Sequence, residues 1–419
     1  MIDDVRGARR PGPGAGRAAA GTALRRGASR AAAAAALSLL WVAAATAAGR
    51  QPLEGDPFRG RQLLSEKLCT RCHSVWGHGG VLGPEMSTAV AGKGWLDLVG
   101  DFWNHTPRMI DAMVARGHRW PTLDQGEMAD LLSYLYYLRL FDEPGDPERG
   151  SAAYSQHRCA DCHSLGGRGG SRGGPLDRFS AYPSSVALAQ AMWNAGPVMQ
   201  RDQLGRGTAI PTFSRDEMAD IQAYVRAEAI RGDRRVELLP LPDPSRGAAV
   251  FKIKRCPTCH HPGGGGAGPD LRRSALNMTV SEIGGILWNH SYAMNDRMRA
   301  LGIPFPHFER TEMADLIAYL YFLSFVSGEG DPDRGASLFR ERGCATCHAG
   351  PEAEAMDLSG SELVADPIAL SAAMWNHAPE MHELMAEKAV AWPKFDPGDM
   401  LHLTAYLRRI APSPKAGKE

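Results

Sequence analysis

Apolar and polar positions recur with a helical period in four successive parts of the chain. Leu63, Leu64 and Leu68 have this spacing in the first part, which closes with an amphipathic segment at 127–135. Similar closing segments occur at 217–225, 312–320 and, more loosely, 399–407. Apolar residues three and four positions apart form one face of a helix. No convincing strand pattern accompanies them, so the sequence predicts an all-α fold.

Each part begins with the same helix-start signal, Asp-Pro-x-Arg-Gly. The four copies are at 56–60, 146–150, 243–247 and 331–335. Asp is a favoured N-cap, and Pro is favoured at the first helical position. We therefore predict four tandem helical domains, at 54–143, 144–238, 239–328 and 329–412, and refer to them as repeats 1 to 4.

The eight cysteines of the chain lie in four copies of Cys-x-x-Cys-His. These copies are Cys69/Cys72/His73, Cys159/Cys162/His163, Cys256/Cys259/His260 and Cys344/Cys347/His348. Two thiols at this spacing can reach the two vinyl groups of one porphyrin, while the histidine binds the iron from below. The pattern predicts four covalently attached heme c groups, with the eight cysteines as attachment sites and the four histidines as proximal ligands.

Two other chemistries use paired cysteines. Structural zinc sites and the redox disulfides of thioredoxin-like folds both contain Cys-x-x-Cys. Neither explains a histidine directly after every second cysteine, and no βαβ pattern surrounds the motifs. The heme interpretation is therefore favoured.

The order of these features resembles that of class I c-type cytochromes over about residues 54–411. A first helix leads to Cys-x-x-Cys-His, a Gly-Pro loop follows, and the last helix has a Leu-x-x-Tyr-Leu pattern. The resemblance implies that each domain folds around its own heme. It also implies that the carbonyls of Pro84, Pro175 and Pro269 hold the second nitrogen of the proximal histidines. Repeat 4 lacks an obvious equivalent of these prolines.

The sequence leaves the sixth iron ligand open. The family usually has methionine before a Pro-x-Phe turn, but this chain has non-ligating residues there: Trp120, Ile210, Phe305 and Trp392. We predict as ligands the set that resembles the family's Asn-x-x-x-x-Met segment: Met109, Met199, Met294 and Met381. A second set is expected to fill the core: Met128, Met218, Met313 and Met400.

Histidine is the rival to methionine as the distal ligand. Trp-Asn-His places histidines at 105, 290 and 377, but repeat 2 has Ala195 at this position, so histidine cannot serve all four hemes. The tryptophans of these segments are expected to pack against heme, because large aromatic side chains chiefly contribute apolar area: Trp103, Trp193, Trp288 and Trp375.

The first 48 residues differ from the rest. Seven arginines and an Ala/Leu-rich run of 18 residues, 31–48, predict an export signal. An uncleaved anchor is the alternative, although the run is short beside the about 20 residues of a spanning helix. The chain after residue 48 has 40 basic and 45 acidic residues, a net charge of −5. Since no basic patch indicates nucleic acid, we expect redox proteins as partners.

These features predict a periplasmic or otherwise exported electron carrier, with a membrane-anchored form as the alternative. A heme with histidine below and methionine above suits electron transfer, and methionine raises its potential. The main alternative is a heme enzyme in which repeat 2 or repeat 4 has an open iron site for peroxide or a small nitrogen oxide. A third possibility is a sensor or assembly subunit of a membrane redox complex.

Overall fold

A computed structural model describes residues 54–141, 145–182, 184–214, 216–229, 240–261, 264, 266–271, 278–326, 328–350, 353 and 355–412. The predicted export signal lies outside these residues. Within the described ranges, no helix is both long enough and apolar enough to cross a membrane.

The predicted all-α fold is confirmed, and every repeat has a short first helix, a long middle helix and a last helix. The first helices are α1 (Pro57–Glu66), α5 (Pro147–Gln156), α8 (Pro244–Ile253) and α11 (Pro332–Glu341). The middle helices are α3 (Trp95–Val114), α6 (Ser185–Gly205), α9 (Val280–Ala300) and α13 (Pro367–Glu387). The last helices are α4 (Gln125–Leu138), α7 (Glu217–Glu228), α10 (Glu312–Val326) and α14 (Asp399–Ile410).

Shorter elements follow the first helices. Repeats 1 and 2 each have a small antiparallel hairpin, β1 (Ser74–Val75) with β2 (His78–Gly79) and β3 (Ser164–Leu165) with β4 (Arg168–Gly169). The remaining short helices are α2 (Met86–Ala89) and α12 (Cys344–His348). Short 3₁₀ turns occur at Cys69–Arg71, Cys159–Asp161, Leu176–Ala181, Cys256–Thr258, Leu358–Gly360 and Glu362–Ala365.

The first helices begin as the sequence predicts. The Asp56 carboxylate accepts hydrogen bonds from the N–H groups of Phe58 and Arg59, and Pro57 occupies the first helical position. The helix does not run directly into the heme motif, because Leu68 adopts a left-handed conformation (φ 67°) between the two. The corresponding residues of the other repeats also have positive φ: Arg158, Arg255 and Gly343.

The first and last helices of each repeat cross at very short distance, and the glycine of Asp-Pro-x-Arg-Gly makes this possible. A Cβ on Gly60 would lie 2.1 Å from the Asp130 carbonyl oxygen, and one on Gly247 would lie 1.9 Å from that of Asp315. Gly150 and Gly335 lie equally close to the last helices of repeats 2 and 4. Only a residue without a side chain fits at these crossings.

Charged groups of the same motif fasten this crossing in repeats 2 and 3. The Asp243 N–H donates to Asp315 Oδ1 at 2.7 Å, and Arg246 donates to both carboxylate oxygens of Asp315 at 3.0 and 2.8 Å. Arg149 binds Asp220 in the same bidentate way, with two bonds of 2.8 Å. Bidentate arginine–carboxylate pairs add directional specificity to their attraction.

The Trp-Asn segments join repeats that are not all neighbours in sequence. Trp103 of repeat 1 donates its indole N–H to the Pro393 carbonyl of repeat 4 at 2.9 Å, and Trp375 of repeat 4 donates to Pro121 of repeat 1 at 2.7 Å. Repeats 2 and 3 make the same exchange through Trp193 to Pro306 and Trp288 to Pro211. The interfaces therefore pair repeat 1 with 4 and repeat 2 with 3.

The asparagines make a second reciprocal set of bonds at both interfaces. The Asn104 side chain donates to the Phe395 carbonyl and accepts from the Phe395 N–H, both at 2.8 Å. Asn376 does the same with Leu123. Asn194 with Phe308 and Asn289 with Phe213 repeat the pattern between repeats 2 and 3. Each asparagine thus satisfies the backbone of a Pro-x-Leu/Phe turn in the partner repeat.

The interface of repeats 1 and 4 has two further bonds, which helix prolines make possible. Pro107 and Pro379 lie inside α3 and α13, each four residues after a tryptophan. A proline lacks the N–H that would bond the carbonyl one turn earlier. The freed carbonyls accept the indoles of the partner repeat: Trp392 donates to Trp103 at 3.0 Å, and Trp120 donates to Trp375 at 2.9 Å.

Repeats 1 and 3 are also in contact through their last helices. The Tyr136 hydroxyl donates to the Ala318 carbonyl at 2.6 Å, and the Arg139 guanidinium lies 4.9 Å from the ring centre of Tyr321. Tyr137 donates to Pro242 at 3.1 Å. Side-chain contacts therefore run from repeat 4 to 1, from 1 to 3 and from 3 to 2, an order that differs from the sequence.

Gly247→Ala should destabilise repeat 3, because its methyl group would overlap the Asp315 carbonyl. We expect a loss of about 1–3 kcal/mol in the free energy of unfolding, measured by denaturant titration of the heme-loaded protein. Gly205→Ala is the control, since nothing lies within 4 Å of a Cβ there. Equal effects of the two changes would contradict the close-crossing argument.

Asn104→Ala should weaken the interface of repeats 1 and 4 by about 1–3 kcal/mol, because a partly buried N–H and carbonyl lose their partners. The same denaturant titration measures this loss. Asn194→Ala acts at the other interface, so the double variant should be additive within about 0.5 kcal/mol. A strong departure from additivity would show that the two interfaces are not independent.

Candidate heme sites

A large cavity in repeat 1 brings the heme motif together with the middle helix. It has a volume of about 610 Å³, and its lining includes Cys69, Cys72 and His73. The opposite wall includes His105 and Met109, and apolar side chains cover much of the rest, among them Leu63, Leu64, Leu98, Phe102, Leu131 and Leu135. Cofactor sites commonly have about this volume and apolar character. The residues present therefore fit a heme bound through Cys69 and Cys72.

The proximal histidines share one hydrogen bond, which orients their rings. Nδ1 of His73 bonds the Pro84 carbonyl at 2.9 Å, and Nδ1 of His260 bonds the Pro269 carbonyl at 3.2 Å. A neutral imidazole that donates from Nδ1 leaves Nε2 as the metal-binding nitrogen. The prediction from the family resemblance is confirmed at these two prolines.

The prediction for Pro175 is wrong, because the carbonyl of Gly174 bonds His163 Nδ1 at 2.8 Å. The position of the Gly-Pro pair explains the difference, because in repeat 2 it lies one residue farther from the histidine than in repeat 1. Gly83 and Gly173 each lie ten residues after their histidine, and a Cβ on either would come within 2.4 Å of the imidazole. The next residue supplies the carbonyl, and in repeat 2 this is Gly174. Repeat 4 does have an equivalent bond, from His348 Nδ1 to the Met356 carbonyl at 3.1 Å.

The first cysteine of each motif is in a poor environment for a thiolate. Burial raises the pKa of the Cys69 thiol to about 11 and that of Cys159 to about 12. Burial also raises the pKa of Cys256 and Cys344 to about 11. Zinc binds the thiolate form, whereas a thioether carries no charge. The described residues contain no group of three or more metal-binding side chains, and all eight cysteines are free of disulfides.

The second cysteine of each motif is half-buried and belongs to the turn that carries the histidine. In repeats 1 to 3, its N–H donates to the carbonyl of the first cysteine at 3.2 Å. The carbonyls of Cys162 and Cys259 in turn accept from the N–H groups of Gly173 at 2.8 Å and Gly268 at 2.9 Å. Cys162 and Cys259 lie outside the cavity of repeat 1, which includes Cys72 alone of the second cysteines. Heme attachment at all eight cysteines, Cys162 and Cys259 included, stays a prediction.

The two methionine sets lie in different environments in repeat 1. Met109 lines the cavity, whereas Met128 packs against the interface with repeat 4 and is only 1 % exposed. Met218, Met313 and Met400 are equally buried in the core. His105 lines the same cavity as Met109, and burial lowers its pKa, which favours the neutral imidazole. The assignment of Met109, Met199, Met294 and Met381 stays a prediction.

The residues before the Pro-x-Leu/Phe turns are interface residues in three repeats. The rings of Trp120 and Trp375 stack with their centres 4.4 Å apart, those of Trp392 and Trp103 at 4.3 Å, and those of Phe305 and Trp193 at 4.7 Å. The tryptophans expected to pack on heme also join repeats, and Trp375 lines the cavity of repeat 1. Their packing against heme stays a prediction. Interface packing thus occupies the positions where the family usually has methionine.

Glu85 is a site residue that the sequence analysis did not single out. Its carboxylate accepts from the Trp76 N–H at 2.7 Å, the Gly77 N–H at 3.3 Å and the Ser87 hydroxyl at 2.7 Å. Desolvation opposes ionisation, but the hydrogen bonds outweigh it and lower the pKa of Glu85 to about 2. Glu85 thereby ties the β1–β2 hairpin to the loop that holds His73. In repeat 2, Asp177 also follows the Gly-Pro pair closely, and it accepts from the Gly166 N–H at 3.0 Å. This recurrence of an acidic residue was the sequence signal that could have identified Glu85.

Comparison with known proteins identifies two of the repeats. The Cytochrome c family model matches residues 147–228 and 244–324, which lie in repeats 2 and 3. These matches and the four motifs support a multidomain c-type cytochrome. Neither a curated protein nor a solved structure matches the chain. Repeats 1 and 4 have the same motif, helix crossing and histidine–carbonyl bond as the matched repeats.

Glu85→Gln should lower the stability of the protein at neutral pH but not near pH 2. The pKa of Glu85 falls from an ordinary value of about 4.3 to about 2 on folding, so its stabilisation is present above about pH 4 and is lost as the pH falls toward 2. Thermal midpoints between pH 7 and 2 measure this effect. The exposed Glu383→Gln is the control. A constant difference between wild type and E85Q over this range would contradict the prediction.

Proposed function

We propose that this cytochrome is an exported carrier with four covalently bound heme c groups, which moves electrons between redox proteins. The observation that supports it best is the histidine–carbonyl bond of all four motifs, at 2.9, 2.8, 3.2 and 3.1 Å. Each bond leaves one ring nitrogen for iron beside a pair of cysteines. An iron bound by protein on both faces changes oxidation state with little rearrangement, and this suits electron transfer.

The interfaces between repeats also favour this function. Reciprocal indole and amide bonds hold repeat 1 against repeat 4 and repeat 2 against repeat 3. Trp375 of repeat 4 forms part of the cavity wall of repeat 1. Because the repeats are packed against each other, electrons could pass between hemes without the diffusive domain motion that flexibly linked domains would need. The order of contacts would route electrons through repeats 4, 1, 3 and 2 in either direction.

The electron donor and acceptor are proposed from charge and export alone. The net charge of −5 after residue 48 favours protein partners that present complementary basic surfaces. Other cytochromes and membrane oxidoreductases are the classes of partner that fit an exported heme carrier. Residues 1–48 would direct the chain to the periplasm, or anchor it to the membrane if they are not cleaved.

A heme enzyme is the second candidate, and one observation in repeat 2 favours it. Ala195 is exposed and takes the place that histidine has in the three other Trp-Asn segments. If Met199 does not bind the iron, this heme would have a free position for peroxide or a small nitrogen oxide. A high-spin ferric heme that binds such a ligand would support this candidate.

Heme counting tests the proposed carrier. The exported wild-type protein should contain four hemes per chain by the pyridine hemochrome assay and should be reduced and reoxidised reversibly. A double variant, Cys344→Ala with Cys347→Ala, should contain three, because repeat 4 alone loses its attachment site. Fewer than four hemes in the wild type, or the same count in both proteins, would overturn the proposal.

A further inference from the structure

Two pairs of histidine rings lie close together at the heme motifs of repeats 1 and 4. The ring centres of His73 and His105 lie 6.3 Å apart in repeat 1, with 64° between their planes. Those of His348 and His377 lie 6.2 Å apart in repeat 4, with 74° between their planes. In each pair, one histidine belongs to Cys-x-x-Cys-His and the other to Trp-Asn-His.

This separation equals the space that one metal ion needs between two imidazoles. A metal–nitrogen bond to histidine is about 2.0 Å long. A five-membered ring with bonds of about 1.33 Å has its atoms about 1.1 Å from its centre. Two rings on opposite sides of one ion therefore have centres about 6.2 Å apart. The same separation recurs in repeats 1 and 4, each time between the histidine of Cys-x-x-Cys-His and that of Trp-Asn-His.

The ring of His105 is held with one nitrogen available. Its Nδ1 bonds the Asp101 carbonyl at 2.5 Å, one turn earlier on α3, which leaves Nε2 free in the cavity. The Asp101 carbonyl thus orients the ring of His105 as the Pro84 carbonyl orients the ring of His73. Histidines that bind metals are commonly oriented by such a bond from the second nitrogen.

We propose that His105 and His377 are the distal iron ligands of repeats 1 and 4. This inference rests on the proposed binding of heme and replaces Met109 and Met381 at these two sites. Met109 lies four residues beyond His105, about 6 Å farther along the helix axis. Both side chains cannot occupy the position opposite His73, and the ring separation assigns it to His105.

The assignment distinguishes the hemes of repeats 1 and 4 from that of repeat 2. Repeat 2 has Ala195 in place of the histidine, so Met199 is its available ligand of the predicted set. Methionine ligation raises the potential of a heme relative to histidine ligation. The paired repeats 1 and 4 would then hold hemes of lower potential than repeat 2. Electrons that enter at the pair 1–4 would move toward repeat 2 in the order of contacts.

Ligand variants of the full-length, heme-loaded protein test the inference. His105→Ala should convert one heme from low-spin to high-spin in the ferric electron paramagnetic resonance spectrum, and added imidazole should restore the low-spin form. His105→Met should raise the midpoint potential of one heme and strengthen the weak long-wavelength band of methionine on ferric heme. His118→Ala, a histidine in the loop after α3, is the control and should change neither signal.

Met109→Leu is the decisive matched variant. It should leave the spin state, the methionine band and all potentials unchanged if His105 binds the iron. A new high-spin heme or a weaker methionine band in Met109→Leu would overturn the inference. The heme count separates this failure from a failure of the proposed function. Four reversible hemes with methionine at repeat 1 would reject only the ligand assignment, whereas missing hemes would reject the carrier itself.

Discussion

The close crossing of the first and last helices is the constraint on which each repeat depends. A glycine on the first helix lies against a carbonyl of the last helix, at a distance where any side chain would overlap it. The aspartate and arginine of the same pentapeptide then hold the last helix, through Asp315 in repeat 3 for example. Because the cysteines follow within one short turn, this crossing also places the heme motif in the wall of the cavity in repeat 1.

The middle helices serve two purposes at once. One face of α3 lines the cavity of its own repeat with His105 and Met109, while Trp103 and Asn104 of the same helix bind the turn of repeat 4. Heme binding and assembly of the repeats are thus coupled through one helix. A substitution at the interface would therefore alter the heme site, and loss of heme would weaken the interface.

The two pairs of repeats are joined by different sets of hydrogen bonds. Repeats 1 and 4 share two indole bonds that require helix prolines and tryptophans in both partners. Repeats 2 and 3 have Ile210 and Phe305 in place of Trp120 and Trp392, and neither side chain carries an indole. These repeats are joined by the tryptophan and asparagine bonds that both interfaces share. The proposed distal ligands also differ, with histidine in repeats 1 and 4 and methionine in repeat 2.

The sequence by itself determined the local features: the helical class, the aspartate caps, the heme motifs and the glycine-rich loops after them. Each depends on residues within a few positions of one another, so spacing is enough to predict it. The loop carbonyl in repeat 2 was misassigned because Gly-Pro was matched by residue type and not by distance from His163. Only the tertiary structure decided that Trp-Asn joins repeats 1 with 4 and 2 with 3, because donor and acceptor there can lie 290 residues apart, as for Trp103 and Pro393. It also decided which side chains of the middle helix face the proximal imidazole, since periodicity places His105 and Met109 on one face and cannot choose between them.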